Sequence, residues 1–164
     1  MDHLRSVKFF ATTKHDGQRY GVLPYTHHLW DVDQVLLRFG ITDLIMRSAA
    51  WLHDVVEDTP TKIKEIVELF GPEVAGLVQA VTNEKAENRK VRTALTYPKI
   101  LAYPRAVQLK LADRIANVEN GGDLVDMYKK EYESFRRALH TPGLYEDMWK
   151  HLDSLLDPGP SKCV

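Results

Sequence analysis

"IMRSAAWLHDVVEDTP", residues 45–60, decides the reading of the fold. Its apolar run has the spacing of a helix buried in a core, and it ends in one histidine and three acids, His53, Asp54, Glu57 and Asp58. The spacing predicts a helix from about Thr42 to Val56, closed by Thr59-Pro60. Positions three and four apart share a helical face, so Glu57 stacks over His53, and Glu57 and Asp58 over Asp54. Either the helix simply ends here with its acids in water, or the four groups look into one cleft. Burying several carboxylates is costly without compensation, and a bound cation compensates them well.

Outward from this stretch, apolar residues keep the three- and four-residue spacing of helices, and no series of alternating strands is visible. The expectation is an all-α, single compact helical bundle. Leu29, Val32, Val35, Leu36 and Phe39 form one stripe, stopped by Gly40. "TKIKEIVELFG" (61–71) reads as a helix with Ile63, Ile66, Val67 and Phe70 inward. Pro72 suits the first turn of the next helix, which reaches Thr82. Pro98 and Pro104 bracket a short element before a helix from Arg105 to about Asn117, "ENGGD" breaks the chain, and two helices follow at about 123–140 and 143–155. The domain is expected over 1–156, with "DPGPSKCV" (157–164) as a flexible tail.

The 164 residues suffice for one well-buried domain, and 44% hydrophobic with 27% charged residues is globular composition. A formal net charge of −1 argues against bulk nucleic acid as a partner. The single cysteine, Cys163, forms no internal disulfide, and the sequence contains no membrane-spanning apolar stretch or signal peptide. A cytoplasmic enzyme or binding protein is expected, its oligomeric state open and a homo-oligomer included.

Two further positions bear on the charged helix exit. In "LPYTHHLWDV", His28 lies in register with Val32 and Val35 and points inward, whereas His27 points outward; His28 is a satisfied core histidine or a ligand. In "LKLADRIANVEN", Asp113 falls on a core face with Asn117 one turn later, and pairs either with a nearby cation or with a metal. Together His28, His53, Asp54 and Asp113 offer two imidazoles and two carboxylates. That set suits a divalent ion, Mn²⁺ first and Fe²⁺, Zn²⁺ or Co²⁺ next, with coordination positions left for water and substrate. Such an ion acidifies water and polarises a phosphoryl oxygen, so phosphate-ester hydrolysis is the leading reaction class. Glu57 and Asp58, one turn beyond, are placed to hold water or a leaving group, and burial beside other acids can make one of them a general acid. Lys14, Arg19, Arg89 and Lys90 are either phosphate or base partners or ordinary solvated charges.

The order of a histidine, then HD followed by ED, then an aspartate resembles the HD superfamily of metal-dependent phosphohydrolases. More narrowly, "KHDGQRYGVLPYTHHLWDV", "AAWLHDVVEDTPTKIKEIVELFGPEVAGLVQAVTNE", "ENRK" and "QLKLADRIANV" resemble the hydrolase domain of RelA/SpoT proteins and the small alarmone hydrolases, the metazoan SpoT homologue among them. The resemblance implies an all-α hydrolase that removes pyrophosphate from the ribose 3′ position of (p)ppGpp, with Mn²⁺. It implies His28, His53, Asp54 and Asp113 as metal ligands and Glu57 and Asp58 as catalytic groups around the attacked phosphate. It further implies Asn117 as a ribose or phosphate contact and Arg19 as a base contact. The family has a base two residues after the asparagine, where this chain has Glu119. An acid beside a polyphosphate is repulsive, which keeps open a less charged substrate: a nucleoside monophosphate, a deoxynucleotide or the 2′-phosphate of NADPH. A third reading is an inactive HD domain that binds a nucleotide and regulates a partner.

Overall fold

The computed structural model describes residues 3–156; the expected tail, 157–164, lies outside the described residues. The elements run α1 (His3–Lys14), β1 (Arg19–Tyr20), β2 (Leu23–Pro24), α2 (Thr26–Arg38), α3 (Leu44–Leu52), α4 (Val55–Asp58), α5 (Ile63–Phe70) and α6 (Pro72–Val81). They continue with α7 (Arg89–Leu101), α8 (Pro104–Asn120), a 3₁₀ turn (Gly122–Leu124), α9 (Val125–Leu139) and α10 (Glu146–Leu156). The fold is all-α, with one hairpin that helical periodicity does not reveal. Arg19 pairs with Pro24 and Tyr20 with Leu23 in antiparallel register. The turn between them starts at Gly21, whose φ of 60° is the positive value that two-residue hairpin turns need at that position.

The bundle is built around α8. Pro104 starts it at a position where no amide hydrogen bond is lost. Ala106, Leu109, Leu111, Ala112, Ile115 and Ala116 are then buried on successive faces. A helix buried on most of its faces belongs in the interior, and α2, α3, α6, α7, α9 and α10 all pack on this one. Gly40 ends α2 as expected, with φ 76° and its amide bonded to the Leu37 carbonyl. Asp43 caps α3 by accepting from the Met46 amide at 3.0 Å.

A buried polar clamp locks α2 to α3. Asp33 is fully buried and accepts from Arg47 Nε at 2.7 Å, Arg47 Nη2 at 3.0 Å and Trp51 Nε1 at 3.0 Å. His28 precedes Asp33 by little more than a turn and His53 follows Trp51 by two residues, so the clamp fixes the seam from which both histidines project.

Four expected boundaries or faces are corrected. The helix expected over 42–56 is two helices, because Asp54 takes φ −100° and ψ −6°, and its carbonyl starts a new turn by accepting from the amides of Glu57 and Asp58. Val67, expected inward, is 42% exposed, since the short α5 buries only Ile66 fully and packs Ile63 and Phe70 partly. Pro98 lies inside the last turn of α7 instead of bounding it. The helix expected to end at Asn117 reaches Asn120.

Candidate active site

Three segments converge: α2 brings His28, the turn between α3 and α4 brings His53 and Asp54, and α8 brings Asp113. Nε2 of His28 lies 3.3 Å from Nε2 of His53 and 3.3 Å from Oδ1 of Asp113, while His53 Nε2 is 3.6 Å from that same oxygen. Asp54 Oδ2 lies 2.8 Å from His53 Nε2 and 3.6 Å from His28 Nε2. His53 Nδ1 donates to the Ala50 carbonyl at 2.8 Å, which turns its Nε2 lone pair toward the other groups. Donor atoms held at about 2.1 Å by one ion are separated by about 3.0 Å at octahedral and 3.4 Å at tetrahedral angles. The observed 2.8 to 3.6 Å spread brackets both.

The electrostatics point the same way. Burial alone would lower the His53 pKa, yet Asp54 and Asp113 beside it hold it well above the ordinary value. His28 is raised against burial by the same two acids. Burial would raise Asp54 and Asp113, but the imidazoles, and for Asp113 first of all Lys110, hold both well below the carboxylate range. A field that draws positive charge onto two buried imidazoles suits a cation among them, and the His28, His53, Asp113 cluster makes this a candidate divalent-metal site.

Around the cluster, Tyr25 Oη donates to Asp54 Oδ2 at 2.6 Å, and Lys110 Nζ donates to Asp113 Oδ2 at 2.7 Å. Asn117 Nδ2 donates to Asp113 Oδ1 at 2.6 Å, and its own oxygen accepts from Tyr20 Oη at 3.0 Å. Tyr20 stacks on His28 with ring centres 4.9 Å apart. Sequence reasoning missed Tyr20, Tyr25 and Lys110. Tyrosine spacing reads as core, and only the three-residue step from Lys110 to Asp113 signalled an ion pair.

The cluster opens into a cleft of about 260 Å³ lined by Tyr20, Asp54, Glu57, Asp58, Arg92 and Asn117 among others. The continuous helix that would stack Glu57 over His53 is interrupted at Asp54. The Glu57 carboxylate is held across the cleft by Asn83, from the amide at 3.1 Å and from Nδ2 at 2.9 Å. Asp58 has a raised pKa: burial is the main cause, with Asp54 and Glu57 adding to it and the Tyr25 hydroxyl opposing.

The remaining candidates lie elsewhere. Lys14 is not among the lining residues; its ammonium pairs with Glu65 at 3.0 Å and sits over the Phe10 ring. Arg19 is exposed on the hairpin, outside the lining. Arg89 lines the cleft with its guanidinium bonded to Glu131, and Lys90 does not line it. Glu119 is also outside the lining, tied to Arg38 at 2.7 Å and His151 at 2.8 Å. The repulsion expected between Glu119 and a polyphosphate therefore does not arise in the cleft.

The chain is also similar to known proteins. The chain is 37% identical over 116 residues to the guanosine-3′,5′-bis(diphosphate) 3′-pyrophosphohydrolase MESH1 of Drosophila melanogaster, a match covering 68% of this chain and 65% of that protein. It is 39% identical over 115 residues to the guanosine-3′,5′-bis(diphosphate) 3′-pyrophosphohydrolase of Aquifex aeolicus, covering 67% of this chain and 16% of that one. A solved structure described as a metazoan orthologue of SpoT that hydrolyses ppGpp superposes with a TM-score of 0.84 at 29% identity, over 94% of both chains. Residues 7–145, which contain every group of the cluster, match the HD domain, and the chain belongs to the HD-domain family.

Proposed function

We propose that the chain is a divalent-metal-dependent phosphohydrolase that removes pyrophosphate from the 3′ position of (p)ppGpp in the cytoplasm, using Mn²⁺. One observation carries the reading: the Nε2 atoms of His28 and His53 lie 3.3 Å apart and each lies within 2.8 to 3.6 Å of a carboxylate oxygen of Asp54 and of Asp113, beside an acid of raised pKa and a cleft with cationic walls. The names of the Drosophila and Aquifex relatives supply the substrate class.

In this reading His28, His53, Asp54 and Asp113 hold the ion. When bound, the ion supplies Lewis acidity that stabilises charge on a phosphoryl oxygen and makes water a stronger acid. Asp58, whose pKa is raised by burial beside Asp54 and Glu57, gives a proton to the ribose 3′ oxygen as its bond to the attacked phosphorus breaks, and the pyrophosphate leaves carrying the oxygen of the water. Glu57, immobilised by Asn83, accepts a hydrogen bond from the attacking water and orients it. Asn117 contacts ribose or phosphate from the wall beside Asp113, and exposed Arg19 meets the base. Lys14, engaged by Glu65, receives no substrate role. With Glu119 neutralised by Arg38 and His151, the reason for preferring a mononucleotide or NADPH is removed.

The test is a substrate panel with Mn²⁺, Fe²⁺, Zn²⁺ and Co²⁺. Pyrophosphate release from ppGpp is expected, fastest with Mn²⁺. Orthophosphate release from a mononucleotide or NADPH, with ppGpp left intact, refutes the alarmone assignment. A wild-type protein that holds no divalent ion and matches His53→Ala in every assay refutes catalysis and leaves the regulatory reading.

A further inference from the structure

Beyond the cluster, the cleft shares Glu57, Asn83 and Arg92 with a second, wider groove of about 810 Å³. Lys62, Lys85 and Lys99 stand in its walls. The acids there are already engaged: Glu57 by Asn83, and Glu84 by Lys99 at 2.6 Å. The groove, about three times the cleft's volume, therefore presents excess positive charge beside the cluster.

The cations of the cleft are not equivalent. Arg89 is bonded to Glu131, and Lys110 to Asp113. Arg114 lies 3.7 Å from Glu131, packed between the rings of Tyr128 and Phe135. The Arg92 guanidinium makes no hydrogen bond or ion pair among the described residues and feels Glu131 only at longer range. Half-buried on α7, it is the shared cation at the junction of cleft and groove. A guanidinium so placed forks onto phosphate oxygens without first giving up a carboxylate, so little is lost on binding.

We infer that Arg92, with the groove beyond it, forms a subsite for a second phosphate or diphosphate group of the substrate, one that is not cleaved. The inference rests on the phosphohydrolase reading and adds which residue holds the arm of the doubly phosphorylated substrate that is not cleaved. The cleaved group sits at the His28, His53, Asp113 cluster, and the other lies across Arg92 toward Lys62 and Lys85. Arg92 thereby selects doubly phosphorylated nucleotides over those with a single anionic group.

Wild type, Arg92→Gln and Arg92→Lys are compared on ppGpp and on guanosine 3′-diphosphate, which lacks the 5′ arm, with Mn²⁺ content measured for each. Arg92→Gln is expected to raise KM for ppGpp about tenfold or more while kcat and Mn²⁺ content hold, with the KM ratio for the one-armed substrate within about threefold. Arg92→Lys, which keeps the charge and loses the fork, is expected to fall between. An equal KM rise on both substrates, or a loss confined to kcat, overturns the inference. Calorimetric titration of ppGpp into His53→Ala with and without Arg92→Gln gives a reading independent of turnover, and tenfold weaker binding is expected. If wild type leaves ppGpp intact, the substrate assignment has failed, and this titration alone decides Arg92: unchanged affinity refutes the subsite.

Discussion

Replacing Asp33 by alanine tests whether the clamp between α2 and α3 sustains the fold. The carboxylate is fully buried and receives two hydrogen bonds from Arg47 and one from Trp51. Lys8 stands 3.7 Å away. Without it, the Trp51 indole N–H is stranded in a residue only 6% exposed, at a cost of about 1–3 kcal/mol. The Arg47 side chain, 19% exposed, regains only part of its hydration, and breaking one partner out of a buried pair costs about 3–5 kcal/mol. These terms overlap, so the expected total is about 3–5 kcal/mol, a large share of a stability of about 5–15 kcal/mol. Asp33→Asn keeps an acceptor and the shape, and is expected to lose about half as much. The assay is urea unfolding, read as a lower midpoint at unchanged slope. A loss under about 1 kcal/mol for Asp33→Ala refutes the claim that this pair locks the two helices.

Tyr25→Phe removes the 2.6 Å hydrogen bond to Asp54 and is expected to weaken Mn²⁺ affinity by about 10- to 100-fold in a metal titration, with the unfolding midpoint nearly unmoved. Asp58→Asn removes the proposed proton donor and is expected to lower kcat by about 10²-fold or more while Mn²⁺ content stays at the wild-type level. Glu119 has its folded pKa held below the ordinary 4.5: burial opposes the shift, and Arg38 and His151 outweigh it. Its contribution to stability is therefore complete above 4.5 and fades as pH falls through the lower folded value. Acid titration of unfolding should show a shallower loss in Glu119→Gln than in wild type over that window.

The parts of the fold visible in the sequence are those written as repeated spacing. The α2 stripe, the Pro72 start of α6 and the long, largely buried α8 each show in the sequence as spacing or as a start signal. The convergence of His28, His53 and Asp113 was legible for the same reason, since His28 and Asp113 each interrupt an apolar face where a polar group needs a partner. What escaped depends on single backbone angles or on contacts distant in the chain. Nothing in the composition of "WLHDVVED" announces the break at Asp54, which sets His53 apart from Glu57 and Asp58. The hold of Asn83 on Glu57 spans 26 positions. The hairpin has two residues per strand, too few to show alternation.

Glu119 shows how a correct motif comparison misleads when its geometry is left out. Two steps along an α-helix rotate a side chain by about 200°, so a residue two after Asn117 faces nearly the opposite way. Asn117 looks back to Asp113 and the cleft, where its amide donates at 2.6 Å. Glu119 faces α2 and α10, where Arg38 and His151 already neutralise it. An acid here does not confront the substrate; it ties the end of α8 to its neighbours. If that is its role, Glu119→Gln changes acid stability and leaves KM for ppGpp within about twofold of wild type, because no group it touches lines the cleft. A tenfold fall in KM on removing the charge would mean that Glu119 does repel the substrate and that it does not face away from the cleft. The two readings thus predict different results from one variant.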